Sequence, residues 1–153
     1  MKDKGYFGIG CLNMKSSDNY GTLFRTAQIL EADFIFLIGC RFKQQPTDTM
    51  KSWRHMPMFQ YKDFSDFNEH RPYDCKLIGI ELSSKSVPLS EFKHPKNCIY
   101  LLGAEDHGLS REAMDACQSL VVLPGTRSMN VSVAGSIVLY DRVTKLNFPD
   151  LPF

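Results

Sequence analysis

Short apolar runs alternate with segments of helical periodicity along this chain. Residues 7–12, 34–38, 77–80, 99–102 and 120–123 are rich in Ile, Leu, Val or Phe, and Gly, Pro or polar residues bound each run. Their length predicts strands. Their unbroken apolar character predicts strands covered on both faces, as in a parallel sheet. Between them the pattern predicts helices over 19–31, 63–69, 110–116 and 131–145. The last has the plainest stripe, with Val131, Ala134, Gly135, Val138 and Leu139 at i, i+3, i+4, i+7 and i+8. Ser128 or Asn130 stands where a cap is wanted. This alternation predicts one α/β domain over residues 1–153, with a mostly parallel sheet and helices on both of its faces.

Composition narrows the class without naming a partner. A chain of 153 residues suffices for one α/β domain with a real core, and the net charge of +1 gives no global pull toward nucleic acid. No apolar stretch approaches the roughly 18 residues that span a bilayer, and the first residues do not read as a signal peptide. Cys11, Cys40, Cys75, Cys98 and Cys117 are widely spread and odd in number. They read as reduced, mostly buried thiols of a cytoplasmic protein, and the lack of ligand spacing among histidines and cysteines speaks against a metal site. No G-x-G-x-x-G and no G-x-x-x-x-G-K-[ST] occurs, so dinucleotide and triphosphate cradling are not supported.

Three loops have unusual chemistry. Asn19-Tyr20-Gly21-Thr22-Leu23-Phe24-Arg25 follows the first strand, where a glycine in a helix's opening turn lets a ligand or backbone approach closely. Leu101-Leu102-Gly103-Ala104-Glu105-Asp106-His107-Gly108-Leu109 places two glycines and a carboxylate just after a buried strand, a tight loop whose backbone a ligand such as an adenine or ribose can approach and hydrogen-bond. Leu123 to Ala134 sets Pro-Gly-Thr-Arg-Ser-Met-Asn between a strand and a closely packed helix. Taken singly, each block also reads as an ordinary capped turn.

In this order and spacing the N-x-G-x-x-x-R, G-x-E-x-x-G-L and S-M-N-V-S blocks resemble the SPOUT superfamily, and within it the SpoU (TrmH-like) branch of RNA ribose 2′-O-methyltransferases. The likeness runs from about Phe7 to Leu146. It implies a SPOUT fold, an α/β sheet with a C-terminal deep trefoil knot, one of the rare exceptions to the rule that chains do not thread loops. It implies S-adenosylmethionine as cofactor, held by Ile80, Glu81, Leu102, Gly103, Ala104, Leu123, Ser128 and Met129. It implies Arg25 as catalytic residue, with Asn19, Glu105, Ser128 and Asn130 orienting it and the ribose. A homodimer is implied as well, with Ala134, Gly135 and Ser136 allowing close helix approach. The chain resembles the minimal single-domain type, which includes the enzyme of the tRNA wobble ribose. It departs from the family at Lys51-Ser52-Trp53-Arg54-His55, where relatives often carry a small Gly-Ala pair before a histidine.

RNA is the expected partner, tRNA or rRNA. From Arg41 to Lys62, the basic residues Arg41, Lys43, Lys51, Arg54 and Lys62 stand against one acid, Asp48, and are interleaved with Phe42, Trp53, Phe59 and Tyr61. This suits phosphate contact and base stacking, although a solvated surface gives the same pattern. A non-catalytic RNA-binding relative of the same fold is the competing reading.

Overall fold

In a computed structural model of the protein, residues 4–15, 17–43 and 51–146 are described. Along them run β1 (Tyr6–Leu12), α1 (Ser17–Ile29), β2 (Phe34–Ile38), β3 (Met58–Tyr61), α2 (Phe64–His70), β4 (Lys76–Ile80), β5 (Val87–Pro88), β6 (Asn97–Leu102), α3 (Arg111–Ala116), β7 (Ser119–Val122) and α4 (Val131–Lys145). The strands form one sheet in the order β3-β2-β1-β6-β4-β7-β5, and every neighbouring pair is parallel. After β4 the chain forms the outer strand β5, returns to insert β6 between β1 and β4, and then sets β7 between β4 and β5.

The apolar runs mark the five inner strands to within two residues. They do not mark β3 and β5, which are the sheet's two edges. Phe59 and Gln60 of β3 are exposed, and β5 is an exposed two-residue strand containing a proline, which only an edge tolerates. Helix α1 both starts and stops earlier than its periodicity predicts. It is ended by Glu31, whose φ of 59° turns the chain so that the Ala32 N–H donates to the Ala27 carbonyl at 2.9 Å.

Alternate strand residues face opposite layers. Phe7, Ile9, Cys11, Ile35, Leu37, Tyr100 and Leu102 pack beneath α1 and α4, through Leu23, Phe24, Val138 and Leu139. Phe34, Phe36, Ile38, Ile99 and Leu101 face α2 and α3, through Phe64, Phe67 and Ala113. On this second face β1 carries glycine twice. A Cβ at Gly8 would lie 2.3 Å from the Phe34 ring, and one at Gly10 2.4 Å from the Phe36 ring. The missing side chains let both rings lie over β1, where Phe36 also stacks on Phe67 with centroids 4.8 Å apart.

Helix α4 is fastened at its far end by a buried cation. Arg142 is 1% exposed and donates to the carbonyls of Lys4, Pro95 and Lys96 and to the Tyr100 hydroxyl, with its guanidinium 4.4 Å from the Phe7 ring centroid. Beside it, His94 bridges the Tyr100 hydroxyl (2.7 Å) and Asp141 (2.8 Å). Burial pushes the His94 imidazole below its ordinary pKa, and Asp141 opposes that shift. Arg142→Met therefore takes from the Lys4 and Pro95 carbonyls the donor that the guanidinium gives them, while the Lys96 carbonyl keeps the Tyr6 N–H and the Tyr100 hydroxyl keeps His94. It should lower unfolding free energy by about 3 kcal/mol or more, because unsatisfied buried acceptors bear their full desolvation penalty. Chemical denaturation checks this, and an unchanged midpoint would show that the guanidinium carries no structural weight.

Candidate functional site

Because all strands are parallel, the loops after β4, β6 and β7 gather at one edge of the sheet, where open α/β sheets place their ligands. They enclose a cleft of about 310 Å³. Its wall includes Ile80 and Glu81 after β4, Leu102, Gly103, Ala104 and Glu105 after β6, and Leu123, Ser128 and Met129 after β7. Every residue that the sequence assigns to cofactor binding thus lies on one surface.

The loop after β6 is closed by its own backbone. Ala104 and Gly108 form an antiparallel bridge, with the Gly108 N–H donating to the Ala104 carbonyl at 2.9 Å. Gly103 is required by this closure, since a Cβ there would stand 2.1 Å from the Gly108 carbonyl carbon. The sequence alone had suggested ligand approach as the reason for that glycine. Glu81 braces the same loop: its Oε2 accepts from the Leu109 N–H at 2.7 Å and its Oε1 from the Leu82 N–H at 2.9 Å.

A chain of side-chain hydrogen bonds joins the three blocks. Asn130 caps α4, its Oδ1 accepting from the backbone N–H groups of Ser132 (2.9 Å) and Val133 (3.3 Å). Its Nδ2 donates to Asn19 Oδ1 at 2.8 Å, and Asn19 Nδ2 donates to Glu105 Oε1 at 2.7 Å. The direction of the chain is dictated by its ends. Helix N–H groups only donate and an ionised carboxylate only accepts, so each amide between them has one permitted orientation. A second tie between the same loops is the exposed ion pair of Lys15 with Asp106. Their hydrogen bond raises the Lys15 pKa and lowers that of Asp106. Neither Lys15 nor Arg127, which lines the cleft, was singled out from sequence. Arg127 lies inside the third block, and its charge next to Ser128 was the available signal.

Arg25 stands apart. It lies six residues beyond Asn19, about 9 Å further along the axis of α1, exposed and outside the cleft wall. No hydrogen bond or ion pair holds its guanidinium among the described residues. A helical side chain leans toward its own N-terminus, so the reach of Arg25 is back toward the Asn19 end.

The basic segment is only partly as expected. Arg41 and Lys43 are exposed just after β2, and Lys43 is pinned where its N–H donates to the Tyr20 hydroxyl at 2.7 Å. Residues 44–50 lie outside the described residues. Lys51, with φ of 50°, precedes a 3-10 turn at Ser52–Arg54. Trp53 is half-buried edge-on against Phe42, with centroids 6.0 Å apart, and its buried indole N–H has no partner among the described residues. The Arg54 guanidinium sits 5.0 Å over its ring. A base would have to displace Arg54 to stack on that face.

Among the described residues no group of three or more His, Cys, Asp and Glu is placed to hold a metal ion, and no helix is long and apolar enough to cross a membrane. All five cysteines are free. Burial pushes the Cys117 thiol up to about 12 and raises Cys11, Cys40, Cys75 and Cys98 as well.

The profile of the SpoU rRNA Methylase family matches residues 7–140, which takes in all three blocks. The chain belongs to that family. This SpoU chain is 27% identical over 136 residues to the tRNA (guanosine(18)-2′-O)-methyltransferase of Borreliella burgdorferi, covering 85% of this chain and 62% of that one. It spans less than two thirds of the length of the curated relatives it first matches. Among solved structures it superposes on the AdoMet-bound rRNA methyltransferase of Sinorhizobium meliloti with a TM-score of 0.81 and 22% identity, over 95% of this chain and 58% of that one. It also superposes on a protein solved to explain 2-OH methylation of C/U34 on tRNA, with a TM-score of 0.79 and 21% identity, over 94% of this chain and 98% of that one. At these identities the two structures share the SpoU fold with it.

The packing of Gly103 against Gly108 yields a direct expectation. Gly103→Ala forces the loop apart, and overpacking of this kind costs about 1–3 kcal/mol. The melting temperature of the variant should fall by several degrees. A melt identical to wild type would mean that the loop opens freely and that its closure is incidental.

Proposed function

We propose that this chain is an S-adenosylmethionine-dependent RNA methyltransferase that modifies a ribose 2′-hydroxyl, with tRNA as its substrate. The observation that carries the reading is the convergence of three loops on one cleft, tied together through Asn130, Asn19 and Glu105. The family, and relatives named for tRNA and rRNA 2′-O-methylation, support the reaction class. tRNA is favoured over rRNA by the tRNA-named relative that covers most of the chain and by the tRNA-modifying structure of nearly equal length.

The cleft fits such a cofactor. Ile80, Leu102, Leu123 and Met129 give it apolar walls for an adenine, while Arg127 offers a cation for a carboxylate and Glu105 an anion for positive charge. Its volume is at the lower end of the range for ligand pockets. When bound, S-adenosylmethionine supplies an electrophilic methyl group. The chain's own residues then have to fix the ribose hydroxyl in line and provide for its proton. Asn19 has both amide atoms engaged, so it acts as a strut between loops. Ser128, exposed on the cleft wall, is free to meet the ribose. Arg25 reaches the substrate from α1. A guanidinium almost never releases its proton, so its role is to clamp a phosphate or steady developing charge, with the phosphate as the proton's destination.

We read the chain as one domain, knotted at its C-terminal side, and as a cytoplasmic homodimer. The insertion of β6 and β7 on either side of β4 supports the threading, and the free, unreactive thiols suit a reducing compartment. For the dimer the small residues are not the contact: Ala134 and Gly135 are buried within the chain, and a Cβ at Gly135 would lie 2.5 Å from Leu23. The outward face of α4 instead presents exposed Val133 and Tyr140, with half-buried Ile137 between them, and α1, packed against α4, exposes Ile29. A second copy is the occupant proposed here, because this face continues onto the helix that carries Arg25.

Calorimetry and a methylation assay with a tRNA transcript test the site. Wild type should bind S-adenosylmethionine and methylate a ribose. Arg25→Ala should keep cofactor affinity and lose turnover by orders of magnitude, while near-normal turnover would remove Arg25 from the mechanism. Cofactor binding without transfer to any RNA would favour the non-catalytic reading. For the dimer, light scattering at micromolar concentration should give twice the chain mass, and Tyr140→Glu with Ile137→Glu should give monomers. An active wild-type monomer would refute the assembly.

A further inference from the structure

The same strands that carry the cleft carry a second hollow at their opposite ends. It measures about 430 Å³ and is lined by Arg71, Tyr73, Lys76, Lys96, Asn97 and Gln118, with Asp74 as its one carboxylate among the described residues. Lys76 starts β4, Asn97 starts β6 and Gln118 precedes β7, whereas Ile80, Leu102 and Val121 of those strands line the cofactor cleft. At about 3.3 Å per residue, the length of β6 sets the two hollows roughly 17 Å apart.

The polar groups of this hollow are oriented as donors. Asn97 Oδ1 accepts from the Tyr6 N–H at 3.2 Å, and Gln118 Oε1 accepts from the Leu77 N–H at 2.6 Å. With both oxygens held by backbone, both amide NH2 groups are left for the hollow. Arg71 is steadied by Asn68 (2.9 Å) and the Cys75 carbonyl (3.1 Å), which fixes its guanidinium beside them. Lys76 and Lys96 are exposed. Three cations and two donor amides against one carboxylate make an anion site. Tyr73 stands at its rim fully exposed, a large ring with no packing role in the fold.

We infer that this hollow binds a phosphodiester of RNA, with Tyr73 stacking on an adjacent base, so that one folded RNA touches both ends of the sheet. Cations for the backbone beside an aromatic platform are what unpaired RNA requires. The inference rests on the proposal that RNA is the substrate, and the test separates the two.

The full-length Lys76→Glu, Lys96→Glu variant, a milder Lys76→Gln, Lys96→Gln variant, and Tyr73→Ala are compared with wild type. Fluorescence anisotropy with a tRNA transcript is run over a salt series, alongside calorimetry with S-adenosylmethionine. Both lysine variants should weaken RNA binding at least tenfold and reduce the salt slope by roughly 1.4–1.8, since two phosphate contacts are lost. Tyr73→Ala should weaken binding with an unchanged slope, and cofactor affinity should stay at the wild-type value throughout. RNA affinity and slope equal to wild type in both lysine variants would overturn the inference, even if wild type methylates tRNA. The expected losses in a wild type that never methylates would uphold the RNA site and sink the catalytic reading instead. Inorganic phosphate that shifts the side-chain amide NMR signals of Asn97 and Gln118 without competing with the transcript would mark a free-phosphate site and overturn the RNA assignment.

Discussion

The carboxamide of Asn19 sits between a carboxylate and a second carboxamide, donating to Glu105 and accepting from Asn130. Everything at the cleft edge depends on that placement. Glu105 belongs to the loop after β6, Asn130 begins α4, and Asn19 lies in the first turn of α1. Since the last acceptors in the series are served by the free N–H groups of a helix terminus, no amide along it can turn over without leaving two polar atoms unpaired. The site is therefore positioned by polarity as well as by packing. The same network makes Asn19 part of the frame of the cleft edge, whereas no hydrogen bond or ion pair holds the Arg25 guanidinium among the described residues.

The sheet's architecture was legible in the chain because burial on both faces writes an unbroken apolar run, and the five inner strands each have one. Its edges were not legible. Met58–Tyr61 and Val87–Pro88 have one solvated side and no need of such a run, and Phe59 and Tyr61 look like part of a basic, aromatic surface segment. The order of the strands was also beyond reach of periodicity: nothing local in Asn97–Leu102 says that it enters between β1 and β4.

At the site, the composition of the loops identified which residues would meet, and the resemblance to the SpoU branch told how. What neither could supply was the direction of each contact. The resemblance counts Glu81 among the cofactor residues, and the structure adds that both its oxygens, on the cleft wall, also brace backbone N–H groups. Gly103 reads as room for a ligand, and the loop itself fills that room. Trp53 reads as a free stacking platform, and Arg54 already covers one of its faces. In each case another group of the chain, whether the distant Leu109 N–H, the loop's own backbone or the adjacent Arg54 side chain, took up a capacity that the residue type alone left open.

The two glycines of β1 have a consequence that reaches beyond this chain. Gly8 and Gly10 pair in register with Phe34 and Phe36, and each glycine is the hollow into which its phenylalanine leans. A methyl group added to β1 overfills the layer and a ring removed from β2 empties it, so the two are errors of opposite sign. Selection therefore acts on the pair. Among descendants of this sequence, residues 8 and 34 should change together or not at all, so that two lineages can each be well packed while carrying single residues that the other could not accept. Residue 10 should stay glycine whatever stands at 36, because the Phe36 carbonyl oxygen itself lies 2.4 Å from where a Cβ would be.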